Sequence, residues 1–233
     1  MNIQTIRLPA TSVALAALTM LACSPGEAGT AFARSAPAKK VDAVPAAFGS
    51  APGAMLRFVL APAEQAARYR VRERLVGHDL PNDAVGETKS VTGMIAFDSS
   101  GKVIREESKF VVDAGTFVSD KNRRDGFVRG RLLDAEQYPS IVLIPTNVRG
   151  VALPLPTSGS REIEMTGDLT VRGVTRPTTW KGTAEFKDGR VTGSAATAFT
   201  FDDFQIEQPR VPVLLSVADT IRLEIDFNLI PQR

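Results

Sequence analysis

The sequence predicts an all-β chain, an antiparallel barrel with one inserted helix, on three observations. Apolar residues recur at every second place in segment after segment, the period of a strand with one dry face. Turn signals such as Asp98-Ser99-Ser100-Gly101 separate these segments at short intervals. Only one stretch, about residues 122–133, reads as a helix, and many strands with regular turns favour a closed barrel over a sandwich.

The first elements are not part of the core. Arg7 precedes an apolar run from Val13 through Ala22, so residues 1–23 read as a secretory signal too short to span a bilayer. Two processing routes stay open. Met20-Leu21-Ala22-Cys23 resembles a bacterial lipobox, which would make Cys23 a lipidated N-terminus and a membrane anchor; Ala31-Phe32-Ala33 offers cleavage near residue 33. Either route places the protein in the periplasm or cell envelope. Residues 24–53, rich in Ala, Pro, Gly and Ser, read as a flexible tether, and residues 54–233 as the folded domain.

Within that domain, Leu56 to Leu60 is a first short strand and Tyr69 to Leu75 a second, with Arg70, Arg72 and Arg74 sharing a face. Val91, Gly93, Ile95 and Phe97 alternate up to the hairpin at Asp98, and Ser108, Phe110 and Val112 run back. Asp120 suits the start of the helix, Asn122 to Leu133, while Arg129 and Arg131 suit its end. Ile141 to Asn147 follows Pro139. Ile163, Met165, Leu169 and Val171 then alternate with polar residues until Gly173 and Pro177 break the run, and Thr178, Trp180, Ala184 and Phe186 resume it. Ala195, Phe199 and Phe201 share a face, and the last strand carries Ile221, Leu223, Ile225, Phe227 and Leu229 on one side.

Composition narrows the function. The 233 residues are 43% hydrophobic and 23% charged, with a formal net charge of +2, enough for one medium domain with a core. No basic field for nucleic acid is present. The sole cysteine is Cys23, so an intrachain disulfide, a cysteine metal site and a thiol nucleophile are all excluded from the body.

Catalytic chemistry is thinly supplied. One histidine, His78, stands in GHDLPNDAVGE, where Asn, Asp and Pro more often make turns than hold a cation with Asp79 and Asp83. The paired carboxylates Asp202-Asp203, Glu106-Glu107 and Glu162/Glu164 lack the cleft a glycosidase pair needs, and no Gly-rich phosphate loop occurs. The expectation is a protein without catalytic residues, metal or cofactor.

Three blocks resemble the YceI-like, lipocalin-like proteins that bind polyisoprenoid lipids in the bacterial periplasm. The first is Arg124-Asp125 with Val128-Arg129 and Tyr138-Pro139; the second is Gly167-Asp168-Leu169-Thr170 with Arg172-Gly173-Val174-Thr175-Arg176-Pro177. The third is the region from Phe201 to Phe204 with the closing strand, and together they span roughly residues 55–231. Ala66-Ala67, Glu73, Phe127, Leu132-Leu133 and Gln205 depart from the family's pattern, most of them where many members carry histidine or paired phenylalanine.

The resemblance implies an eight-stranded antiparallel lipocalin-like barrel with an apolar tunnel for one extended isoprenoid or similar long-chain lipid, often in a homodimer. Such a barrel is just wide enough to be packed solid or to hold one small ligand. Phe97, Phe110, Leu169, Val171, Trp180, Phe199, Phe201 and Phe227 are the candidate tunnel wall, with ordinary core packing as the alternative. Arg124 and Asp125 either orient a head group at the mouth or tie the helix to the barrel. Gly93, Gly167, Gly182 and Gly193 fall on the apolar phase, where they either leave room for a ligand or mark bends. An isoprene unit buries about 4 kcal/mol gross at about 0.8 per carbon. Eight units would reach about 32, beyond the roughly 18–21 kcal/mol at which non-covalent affinity saturates, so incomplete burial and chain entropy must remove a large share. The rival functions are an envelope structural or stress protein with a solid core, and a hydrolase using Asp202, Asp203 or Glu73.

Overall fold

The computed structural model describes residues 56–62, 64–77 and 79–232. The leader, the tether, Cys23 and His78 lie outside the described residues. Ten strands follow in chain order: β1 (Leu56–Leu60), β2 (Ala66–Leu75), β3 (Asn82–Thr88), β4 (Val91–Phe97), β5 (Lys109–Asp113), β6 (Ser140–Arg149), β7 (Ser158–Val171), β8 (Val174–Lys187), β9 (Arg190–Thr200) and β10 (Leu214–Pro231). Every pairing is antiparallel, and β1 closes the ring by pairing with β4 on one side and β10 on the other.

Ten strands make eight staves because β1 and β2 run in succession along β10, Leu60 opposite Leu229 and Ala66 opposite Asp226. β3 and β4 likewise succeed one another along that composite stave. Where the ladder pauses, backbone groups still find partners: Ala61 N donates to Asn228 O at 2.8 Å, and buried Gln65 Nε2 donates to Val91 O at 2.7 Å. The expected eight-stranded antiparallel barrel with one short helix is the observed fold.

Pairing sets one inner face. Residues directly opposite point to the same side, so the chain of partners Leu169–Leu143–Phe110–Gly93 and the chain Ala195–Ile225–Ala67–Thr88 all face the interior. β3 has no large apolar side chain on its inner face. Its Gly86 lies beneath the Tyr69 ring, where a Cβ would stand 2.2 Å from Tyr69 Cε1, so a neighbour supplies the apolar cover for a strand that reads as turn-like and polar.

Three sequence expectations need correction. The β7–β8 turn is Arg172-Gly173 alone, both with positive φ (49° and 77°), a two-residue turn whose twist matches that of the strands. Pro177 does not break the run but lies inside β8 opposite Asp168. β8 pairs with β9 only from Lys181 to Lys187, so a residue without N–H is tolerated on the side with no second neighbour. The helix is also shorter as an α-helix: α1 spans Asn122–Phe127, and a π-helical turn, Val128–Leu132, follows. Asp120 does not cap it. The N-cap position is Lys121, and Asp120 instead pairs with the Arg124 guanidinium one turn on.

Candidate functional site

The barrel is hollow. A cavity of about 410 Å³ lies toward the end where β1 begins, walled by Ile95, Met165, Phe186 and Val191 and lined also by Leu153 and Gly101. A second, about 1000 Å³, lies toward the end that carries α1, walled by Tyr69, Phe117, Phe127 and Ile206 and by the segment Val211–Leu214. Both fall within the size range of small-molecule sites.

Of the candidate wall residues, Phe97, Phe110 and Phe227 line the smaller cavity, and Val171, Phe199 and Phe201 line the larger. Leu169 and Trp180 line neither, although both are buried. The two cavities share no wall residue, so the interior is divided rather than one uninterrupted tunnel. On β10, Leu223 faces the larger cavity and Ile225 the smaller. At about 3.4 Å per strand residue, the partition there is roughly 7 Å, one layer of side chains. Leu169, with Met165 on one side along β7 and Val171 on the other, belongs to that layer, as does Thr197 between Ala195 and Phe199 on β9.

The glycines on the apolar phase do not leave open space. A Cβ on Gly182 would stand 1.9 Å from Ser194 O, and one on Gly93 would meet the Phe110 ring at 2.4 Å. They allow neighbouring backbone and rings to approach closely.

One charged cluster faces the larger cavity. Arg124 Nη2 donates to Glu73 Oε1 at 2.6 Å, and Asn82 Nδ2 donates to the same oxygen at 3.1 Å. Glu73 is buried, and Arg124 Nη1 reaches Asp120 on the solvent side. Burial works against the guanidinium charge, but Glu73 and Asp120 outweigh it and hold the Arg124 pKa above its ordinary value. The same bond holds the Asp120 carboxyl below the usual range. Asp125, also buried, accepts from Ser119 N at 2.8 Å and Ser119 Oγ at 2.6 Å, fixing α1 to the segment before it. Tyr69 stands beside the cluster against Phe117, with ring centroids 5.6 Å apart, and burial pushes its phenol up to about 12.

The remaining polar candidates are occupied elsewhere. Asp203 accepts from Thr200 N at 2.7 Å and Oγ1 at 2.9 Å, which holds its exposed carboxyl below the usual range, the opposite of a general acid. Asp202 is exposed beside it. Asp83 accepts from Arg72 at 3.0 Å and Arg70 at 3.4 Å. Among the described residues, no group of three His, Cys, Asp or Glu side chains is placed to hold a metal ion. Glu73 was legible as a lone carboxylate, but its partner 51 positions away was not.

A family model described as the YceI-like domain matches residues 58–229. UPF0312 proteins of Pseudomonas putida are 31% identical over 157 residues, covering 64% of this chain and 74% of theirs. Among solved structures, a polyisoprenoid binding domain from Saccharophagus degradans, implicated in plant cell wall breakdown, superposes with a TM-score of 0.58 at 11% identity. That match covers 76% of this chain and 99% of the other. BcnA of Burkholderia cenocepacia superposes with a TM-score of 0.54 at 15% identity, covering 72% and 98%. At such identities the two structures show a shared fold. The family model, by contrast, takes in nearly the whole barrel from β1 to β10, and the chain belongs to the YceI-like domain family.

Proposed function

We propose that this protein binds, and so carries or sequesters, a single-chain apolar lipid such as an isoprenoid, without catalysing its conversion. The observation that carries the reading is the pair of cavities inside a closed barrel, with apolar walls apart from one polar cluster. A barrel packed solid, as a purely structural protein would have, leaves no such space. The name of the Saccharophagus degradans neighbour, a polyisoprenoid binding domain, agrees with it. The leader and the lipobox-like Met20–Cys23 support a location in the bacterial envelope, with the tether holding the barrel off the membrane if Cys23 is acylated. The mass of the mature N-terminus tests that part.

Binding is tested by stripping the protein of lipid and adding prenyl and acyl chains. Trp180, the only tryptophan, is buried opposite Met165 of the smaller cavity's wall and reports on occupancy there through its emission. Saturable uptake with a changed Trp180 spectrum is expected. Failure to take up any prenyl or acyl chain would sink the proposal.

A further inference from the structure

The two cavities reach solvent by separate routes. Exposed Ser100, in the turn after β4, and exposed Ala152, in the β6–β7 connection, both stand in the wall of the smaller one, which opens between these segments. The larger meets solvent at the other end of the barrel, where exposed Lys121, Arg123 and Val213 stand in its wall. Between the cavities the packing is closed. Leu169 and Val91, 2% and 1% exposed, line neither. Val91 lies two residues from Gly93 on β4 and so shares its inner face, and buried Thr197 completes the layer on β9. A layer packed at the density of a protein interior leaves no gap for a chain to thread.

The walls also differ in chemistry. The larger cavity carries Glu73, Asp120 and Arg124. In the smaller, only Ser100 brings a hydroxyl, amide or charged side chain, and its Oγ already donates to Asp98 Oδ1 at 2.7 Å. A polar head entering there leaves water without gaining a partner, a loss that a plain hydrocarbon does not incur. An apolar cavity of about 150 Å³ takes benzene, about 25 Å³ per carbon. On that scale the smaller cavity, at about 410 Å³, has room for about 16 carbons and the larger, at about 1000 Å³, for about 40.

Resting on the lipid-binding reading, we propose that the smaller cavity is a second, independent site for an uncharged hydrocarbon without a hydrogen-bonding group. It is filled through its own opening while the larger cavity holds a separate lipid. Two ligands per barrel follow, in place of one chain running its length.

The test uses the full chain, stripped of lipid and then saturated with geranylgeraniol, a prenyl alcohol within the reach of the larger cavity. Limonene, a ten-carbon hydrocarbon, is added to that complex, and calorimetry with Trp180 emission gives its stoichiometry and affinity. One limonene per chain is expected, with the geranylgeraniol retained and the Trp180 spectrum changed. The alcohol of the same skeleton, α-terpineol, should bind this complex about tenfold or more weakly. Val191→Phe, which fills part of the smaller cavity, should lower limonene affinity about tenfold or more relative to that for geranylgeraniol. Displacement of geranylgeraniol by limonene, no uptake of limonene by the loaded chain, or an α-terpineol affinity equal to or above that of limonene overturns the second site and leaves lipid binding standing. Absence of binding by limonene and geranylgeraniol alike overturns the lipid reading itself. The ligand series on the unsubstituted chain decides the matter even where Val191→Phe does not fold.

Discussion

Arg124 Nη2 lies 2.6 Å from Glu73 Oε1, so one ion pair joins the inserted helix to β2 at the wall of the larger cavity. Breaking a buried pair from one side leaves an uncompensated charge. Arg124→Leu should therefore cost about 3–5 kcal/mol in urea denaturation, and adding Glu73→Leu should recover most of that loss. Equal stability of Arg124→Leu and the unsubstituted chain would show that the pair is not buried as described.

Leu169 is 2% exposed, between the cavities. Leu169→Ala should cost about 2–5 kcal/mol, the range for large-to-small core substitutions. The same change thins the partition and should raise affinity for a long prenyl chain relative to a short one. A ratio of affinities that does not move would mean the partition does not limit chain length.

Gly182 packs against the opposite strand so closely that a Cβ would meet Ser194 O at 1.9 Å and Ala195 Cα at 2.6 Å. Gly182→Ala must push β8 from β9, at a cost of about 1–3 kcal/mol or more. Thermal unfolding reads this directly, and an unchanged midpoint would contradict the packing.

Stability should fall at both ends of the pH scale. The Tyr69 phenol is raised by burial from 10.0 to about 12, so its contribution is fully present below pH 10. It is lost as pH rises from 10 to about 12, because the unfolded chain releases that proton first. Tyr69→Phe should remove this part of the alkaline loss. On the acid side, arginine bonds hold Asp83, Asp120 and Glu224 below their ordinary values of 3.8, 3.8 and 4.5. Their contribution is present above those values and disappears as pH falls through the lowered ones. Denaturation curves collected across pH check both signs.

The strands were legible where apolar side chains alternate, as in Ile221 to Leu229, because period two survives any neighbour. β3 was not, since its inner positions, Ala84, Gly86 and Thr88, are small and draw their cover from Tyr69. Pro177 misled because its tolerance depends on where β8 ceases to pair with β9, a tertiary fact. Arg124 was visible as a motif residue, and the motif also marked Leu169; but a motif does not say that Arg124 meets Glu73 or that Leu169 divides the interior.

The central claim is that a lipid chain occupies this barrel, and native mass spectrometry of the protein purified from cells tests it most directly. The account predicts a mass above that of the mature chain, removed by organic extraction and restored by adding a single-chain prenyl or acyl lipid. Protein at its bare mass that gains nothing on exposure to prenyl or acyl chains would contradict it.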